Sequence, residues 1–147
     1  MALEKRYQAL VENRIFVGGA ADVEAMIKNE QVDIIVDLRA EATRMAYPSE
    51  TTQWIQIPLG DDSLKTEEVL FKEAIDEVVS AYHAGKKVGF HCAGGRGRAG
   101  AVAVGTLLAL GICPNFEEAQ LKAKSIRPMI SLQSSQRASL LKIFPNK

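Results

Sequence analysis

Short apolar runs rich in β-branched residues alternate along this chain with longer stretches whose apolar residues recur at helical spacing. Arg14 to Val17 predicts a short strand that ends at Gly18-Gly19, and Val23, Met26 and Ile27 lie on one face of a helix from Asp22 to Asn29. Val32 to Val36 is nearly continuous in β-branched residues, which fits a strand covered on both faces and hence a parallel sheet. Asp37, Arg39 and Glu41 follow its end and read as a structural polar cluster, and the polar stretch from Glu41 to Glu50, with Pro48, reads as a loop. Gln53 to Pro58 alternates around Trp54, Ile55 and Ile57 as another strand. Thr66 can cap a helix that carries Leu70, Phe71, Ala74, Ile75 and Val78 on its apolar face as far as Ala84, with Gly85 suited to the turn that ends it.

Lys87 to His91 predicts the next strand. The following helix, Arg98 to Leu110, is apolar nearly all round, as expected of a buried central helix. Asn115 with Glu118 forms a capping pattern for a helix from Phe116 to about Ser125, Arg127-Pro128 breaks it, and a last helix runs from about Leu132 to Phe144. This alternation predicts an α/β fold: residues 1–147 as one domain, with a central mixed, mostly parallel sheet flanked by helices on both faces.

Composition narrows the function. The chain has 147 residues, 47% hydrophobic and 24% charged, with a formal net charge of zero, so no basic excess points to nucleic acid or to a membrane surface. No secretory leader and no membrane span are expected. Two cysteines, Cys92 and Cys113, are too few for a disulfide framework, and free thiols place the protein in the cytoplasm. No His/Cys/Asp group has metal-ligand spacing, and no cofactor is expected. The oligomeric state is left open.

Candidate chemistry concentrates in Val88 to Ala101, where a strand, a tight loop and a helix start follow in order. Ala93, Gly94, Gly95, Arg96 and Gly97 let backbone N–H groups converge on one point at the positive end of a helix dipole, which makes an anion site. Cys92 stands at its mouth, where the same field favours the thiolate, and the combination points to attack on a phosphate ester. A nucleotide-binding P-loop fails for want of a Gly-Lys-Ser/Thr end. Arg98 stands at a helix start, where a cation opposes the dipole, so its place there argues for binding an anion.

The segment His91-Cys92-Ala93-Gly94-Gly95-Arg96-Gly97-Arg98 resembles the signature loop of the cysteine-dependent protein tyrosine phosphatases, the compact dual-specificity branch in particular. Val36-Asp37-Leu38-Arg39, Ile57-Pro58-Leu59-Gly60-Asp61, and Ile126-Arg127-Pro128 with Gln136 resemble further parts of that branch in the same order. The resemblance implies a phosphomonoester hydrolase without metal or cofactor, acting on a phosphorylated protein or a small phosphomonoester. Cys92 would be the nucleophile that becomes a phosphocysteine, Arg98 the clamp on the phosphoryl oxygens, residues 93–97 the phosphate cradle and Asp61 the general acid, with Asp62 as its rival. His91 would tune Cys92 as a structural neighbour, and Gln136 would either position water or pack in the last helix.

Arg96 would add positive charge at the pocket rim and favour a multiply charged substrate such as a phosphoinositide or a sugar phosphate, unless it is a solvated surface arginine. Ala99 departs from the family, which has Ser or Thr after the loop arginine to help the thiolate leave phosphorus. Two rival classes follow: a phosphate-binding module with weak or no turnover, and a sulfurtransferase or arsenate reductase, which also builds a cysteine loop around an oxyanion.

Overall fold

The computed structural model describes residues 4–60 and 63–147. Five strands form one sheet in the order β1-β2-β5-β3-β4, with β1 Gln8–Val11, β2 Ile15–Gly19, β3 Ile34–Arg39, β4 Gln53–Leu59 and β5 Val88–Cys92. β1 pairs antiparallel to β2, and all other pairs are parallel. The sheet is thus mixed and mostly parallel, as the alternating pattern implied. β5 lies at its centre: Val88 is in register with Ile15 on one side and Ile34 on the other. All five residues of β5 are buried, which explains its unbroken run of apolar and small residues.

The pleat sends successive side chains to opposite faces. Ile15, Val17, Ile34, Val36, Val88, Phe90 and Cys92 join the larger core beneath α2 (Glu67–His83), α3 (Arg98–Ala109), α4 (Phe116–Ile126) and α5 (Ser134–Ile143). Phe16 and Ile35 point the other way, into a smaller core with Tyr7, Val23 and Met26. That second face is covered by one helical segment, a 3₁₀ turn Ala20–Asp22, the short α1 (Val23–Ala25) and a π-helical stretch Met26–Glu30. Helices therefore flank both faces, though unequally.

Local signals set the element ends. The Thr66 side chain accepts from the Val69 N–H at 3.3 Å, and Asn115 accepts from the Glu118 N–H at 2.9 Å, so both predicted caps start their helices. Gly85 closes α2 with φ +80°, a left-handed turn that suits glycine. Residues 99 to 108 of α3 are all buried, as its all-round apolar sequence required. Several boundaries differ from the sequence expectation by one or two residues, β3 for one starting at Ile34 rather than Val32, and two differ by more. β1 was not foreseen, and β3 runs on through Asp37-Leu38-Arg39, because the Asp37 carboxylate is satisfied inside the sheet layer by Arg39 (2.9 Å to each oxygen) and by the Trp54 Nε1–H (3.0 Å). Among the described residues no helix is long and apolar enough to cross a membrane.

Candidate active site

The site grows from the carboxyl end of the central strand, where open α/β sheets bind ligands. β5 ends at Cys92, the chain turns through residues 93–97, and α3 begins at Arg98. The Cys92 side chain is almost fully buried, and its Sγ accepts the Gly95 N–H at 3.2 Å. One backbone donor of the predicted cradle is therefore aimed at the thiol. Gly97 precedes the helix without a side-chain cap, so the first turn of α3 presents bare N–H groups.

The loop is held from behind. Arg127, only 2% exposed, donates from Nε to the Gly95 carbonyl (2.8 Å), from Nη2 to the Gly94 carbonyl (3.2 Å) and from Nη1 to the Arg6 carbonyl (2.9 Å) and Gln8 Oε1 (2.7 Å). A planar trans peptide points its C=O and the next N–H in opposite directions. With the Gly94 carbonyl drawn back onto Arg127, the Gly95 N–H must face forward, and it does, onto Cys92 Sγ. The same rule turns the Arg96 N–H away from the guanidinium that holds the Gly95 carbonyl. Gly95 alone fits this bend: its φ is +73°, and a Cβ there would lie 2.5 Å from Arg127 Nη2 and 2.6 Å from the Gly18 carbonyl. Ala20 N–H, at the end of β2, anchors the Ala93 carbonyl at 3.0 Å.

Arg98 faces the loop from the other side. Its Nη1 donates to Glu41 Oε1 (2.9 Å) and to the Leu59 carbonyl (3.0 Å), and its Nη2 donates to Glu41 Oε2 (3.1 Å). Glu41 is the main cause that raises the Arg98 pKa, and Cys92 contributes in the same direction. Glu41 in turn is held below the usual carboxylate range, first by Arg98. This extends the expected polar cluster: Asp37 and Arg39 pair with each other, and Glu41, which also feels the Arg39 charge, makes its hydrogen bonds to Arg98. Pro58, Leu59 and Gly60, which lead to the predicted acid, thus approach Arg98 through the Leu59 carbonyl; Asp61 and Asp62 themselves lie outside the described residues.

A cavity of about 420 Å³ opens beside Arg98 and includes Leu59, Lys65, Glu67, Gln133 and Gln136 in its lining. Gln136 is buried, and its Oε1 accepts the Gln133 N–H at 2.9 Å, capping α5, so the packing role is present. Arg96 is exposed and makes no ion pair among the described residues. Ala99 is fully buried against the core. His91 is fully buried as well; its Nδ1 lies 2.9 Å from the Cys92 carbonyl, which assigns the proton to Nδ1, while Nε2 has no hydrogen-bond partner and faces Asp37 Oδ1 at 3.8 Å. Burial pushes the His91 pKa down, with Asp37 opposing.

A buried strand-end cysteine inside a backbone anion loop, faced by an arginine from the next helix, is the arrangement of a cysteine-based phosphatase. The model of the dual specificity phosphatase catalytic domain matches residues 15–145, and the chain belongs to that family. The protein is therefore a phosphomonoester hydrolase of the tyrosine and dual-specificity type, and the sulfurtransferase and arsenate reductase readings give way to it. Among solved structures, it is similar to human DUSP28 (18% identity, 95% of this chain and 93% of that one, TM-score 0.80) and to Tk-PTP in its active form (19% identity, 99% and 100%, TM-score 0.78). It is also similar to PTPMT1 in complex with PI(5)P (15% identity, 96% of each chain, TM-score 0.77). No curated protein sequence matches the chain.

Sequence reasoning picked out Cys92, Arg98 and the loop between them, and the structure brings them together. It assigned no task to Arg127 beyond its place in a resembling motif, and it grouped Glu41 with Asp37 and Arg39 without its hydrogen bonds to Arg98. Neither role leaves a local signal, because the contacts span 32 and 57 positions of sequence.

Two predictions follow from the geometry. Arg127→Lys keeps the charge but cannot fork across both carbonyls. It should lower kcat/KM on an aryl phosphate by about tenfold or more; an unchanged kcat/KM would show that the loop holds its own shape. For His91, the unfolded chain binds a proton before the folded one as pH falls, because the folded pKa is the lower. Stability should therefore decline below about pH 6.5, by at most about 1.4 kcal/mol per pH unit, and His91→Asn should flatten that slope in urea titrations run between about pH 7 and about pH 5.

Proposed function

We propose that Cys92 attacks the phosphorus of a phosphomonoester in line, forming an S–P bond as the P–O bond to the leaving group breaks. The observation that carries this reading is the Gly95 N–H aimed at Cys92 Sγ in a loop that Arg98 faces. The N–H groups of residues 93–97 cradle the phosphoryl oxygens, and Arg98 clamps two of them. Asp61 gives its proton to the departing oxygen, then takes one from the water that attacks phosphocysteine, so the S–P bond breaks and phosphate leaves. The Leu59 carbonyl on Arg98 supports Asp61 by bringing the base of its loop to the clamp. Asp62 remains its rival.

The substrate is a phosphorylated protein, with tyrosine and serine or threonine esters both compatible with the chemistry. A second reading has one specific support. Arg96 is exposed at the loop without an ion-pair partner among the described residues, as a multiply charged substrate would require, and PTPMT1, of the same fold, is seen with PI(5)P. A phosphoinositide or sugar phosphate would suit that rim. Residues 1–147 act as one catalytic domain, and two free thiols suit the cytoplasm.

Cys92→Ser should abolish steady-state hydrolysis of an aryl phosphate; wild-type turnover in that variant would refute the covalent mechanism. Ala99 leaves the first turn of α3 without a hydroxyl near the departing sulfur. Phosphoenzyme should therefore accumulate in rapid-quench experiments, and Ala99→Ser should speed its breakdown. If no covalent phosphate forms in wild-type protein, the binding-module alternative gains instead.

A further inference from the structure

The cavity beside Arg98 has walls that the phosphoryl chemistry leaves unused. At about 420 Å³ it falls within the roughly 300–1,000 Å³ of pockets that hold a small molecule. Three helices begin at it: α2 with Glu67, α3 with Arg98 and α5 with its cap residue Gln133. The positive ends of three helix dipoles therefore border one space.

Gln136 is the informative wall residue. It is only 5% exposed, and it accepts the Gln133 N–H at 2.9 Å. The atom on that donor must be the amide oxygen, so the other is the NH2 group. This Nε2 has no hydrogen-bond partner among the described residues. It lies 3.1 Å from where a Cβ on Gly97 would stand, beside the last residue of the anion loop. A nearly buried donor without a partner is costly, and an acceptor on a ligand removes that cost. Two neighbours add further groups. Lys65 Nζ spends one N–H on Glu73 Oε1 (2.6 Å) and keeps two. Glu67 Oε1 accepts the Ser139 hydroxyl (3.1 Å), while its Oε2 accepts nothing among the described residues.

This mixture decides between occupants. A tyrosine ring wants apolar or aromatic walls, and among the described residues no aromatic side chain lines the cavity. A second phosphate wants donors alone and would meet the Glu67 carboxylate. A hydroxyl both donates and accepts, so a set of them suits an amide NH2, an ammonium and a carboxylate together.

We propose that the cavity is a hydroxyl-binding subsite, in which Gln136 Nε2 and Lys65 Nζ donate to, and Glu67 Oε2 accepts from, the hydroxyls of a polyol phosphate: a sugar or inositol monophosphate whose ester phosphate lies in the anion loop. The inference rests on phosphomonoester hydrolysis at Cys92, and it deepens the second substrate class on residues other than Arg96.

Steady-state kinetics on the full chain test it with an inositol monophosphate, a hexose phosphate, a phosphotyrosine peptide and an aryl phosphate. At least one polyol phosphate should show a kcat/KM about tenfold or more above that of the peptide, and the better of the two identifies the ring. Lys65→Met and Gln136→Leu should each lower the ratio of polyol to aryl kcat/KM by about fivefold, through KM. The Lys65 side chain is 57% exposed, so its variant keeps the test open if Gln136→Leu, which also loses the α5 cap, fails to fold. An unchanged ratio in Lys65→Met would overturn the proposal. So would a peptide turned over better than both polyol phosphates, or a fall confined to the peptide, which would give the cavity to a protein segment. If none of the four is hydrolysed, or Cys92→Ser hydrolyses them like wild type, the phosphatase mechanism itself fails and the subsite with it.

Discussion

Two consecutive carbonyls of the anion loop, those of Gly94 and Gly95, end on the same buried guanidinium. Much of the site depends on that contact. Amide N–H groups can gather round a phosphoryl group only if the carbonyls of the same peptides have somewhere else to go, and in a water-poor interior they need a donor there. Arg127 is that donor. Its other bonds, to the Arg6 carbonyl and Gln8 Oε1, tie the loop to the segment at β1. Burial pushes the Arg127 pKa down, yet an arginine keeps its charge, so a fixed cation also lies behind the thiol. One side chain thus sets the direction of the backbone dipoles and adds to their field.

Arg98 works from the opposite side under a different constraint. Arg127 is spent on structure, with each of its nitrogens donating to protein acceptors. Arg98 has one edge occupied and one edge open, and it stands at a helix start where its charge is disfavoured unless an anion compensates. Glu41 supplies that compensation before any ligand arrives. A guanidinium held by two bonds to one carboxylate has a fixed plane. The β3–β4 connection, which looked in sequence like a polar loop behind a structural cluster, thus reaches Arg98 through Glu41.

What could be read from the sequence follows from how local each feature is. β2, β3 and β5 were legible because strands covered on both faces must be apolar at almost every position, as Val32 to Val36 is. The caps at Thr66 and Asn115 were legible because a cap is a contact over three positions. β1 was not, because Gln8–Val11 is short and its strand character comes from pairing with β2. Asp37 inside a strand was unexpected for a similar reason: its partners Arg39 and Trp54 are decided by sheet register, not by its neighbours' propensity. The catalytic loop stood out since a strand, a glycine-rich turn and a helix start are contiguous. Its supports come from residues 41, 59 and 127, brought together only by the topology of the sheet.

The same contrast bears on the two chemical steps. The S–P bond of the proposed mechanism would need an oriented sulfur, a cradle and a clamp, and the structure has Gly95 on Cys92, Arg127 on the loop and Arg98 opposite. Breaking that bond asks for something more, since sulfur must leave as an anion and be stabilised as charge returns to it. The Gly95 N–H donates to Cys92 Sγ and Arg98 is a further hydrogen-bonding partner of the sulfur, while Ala99, sealed in the core, has no hydroxyl to add. In the proposed second step, charge returning to sulfur is met by the helix dipole, the Gly95 N–H and two arginines, with no hydroxyl at position 99. A diffuse field lowers the energy of the thiolate whether it is free or departing. A hydroxyl donor that tightens as the charge grows would favour departure of sulfur more than it favours the phosphorylated state, and in the proposed mechanism its absence at position 99 falls on the release of phosphate from sulfur.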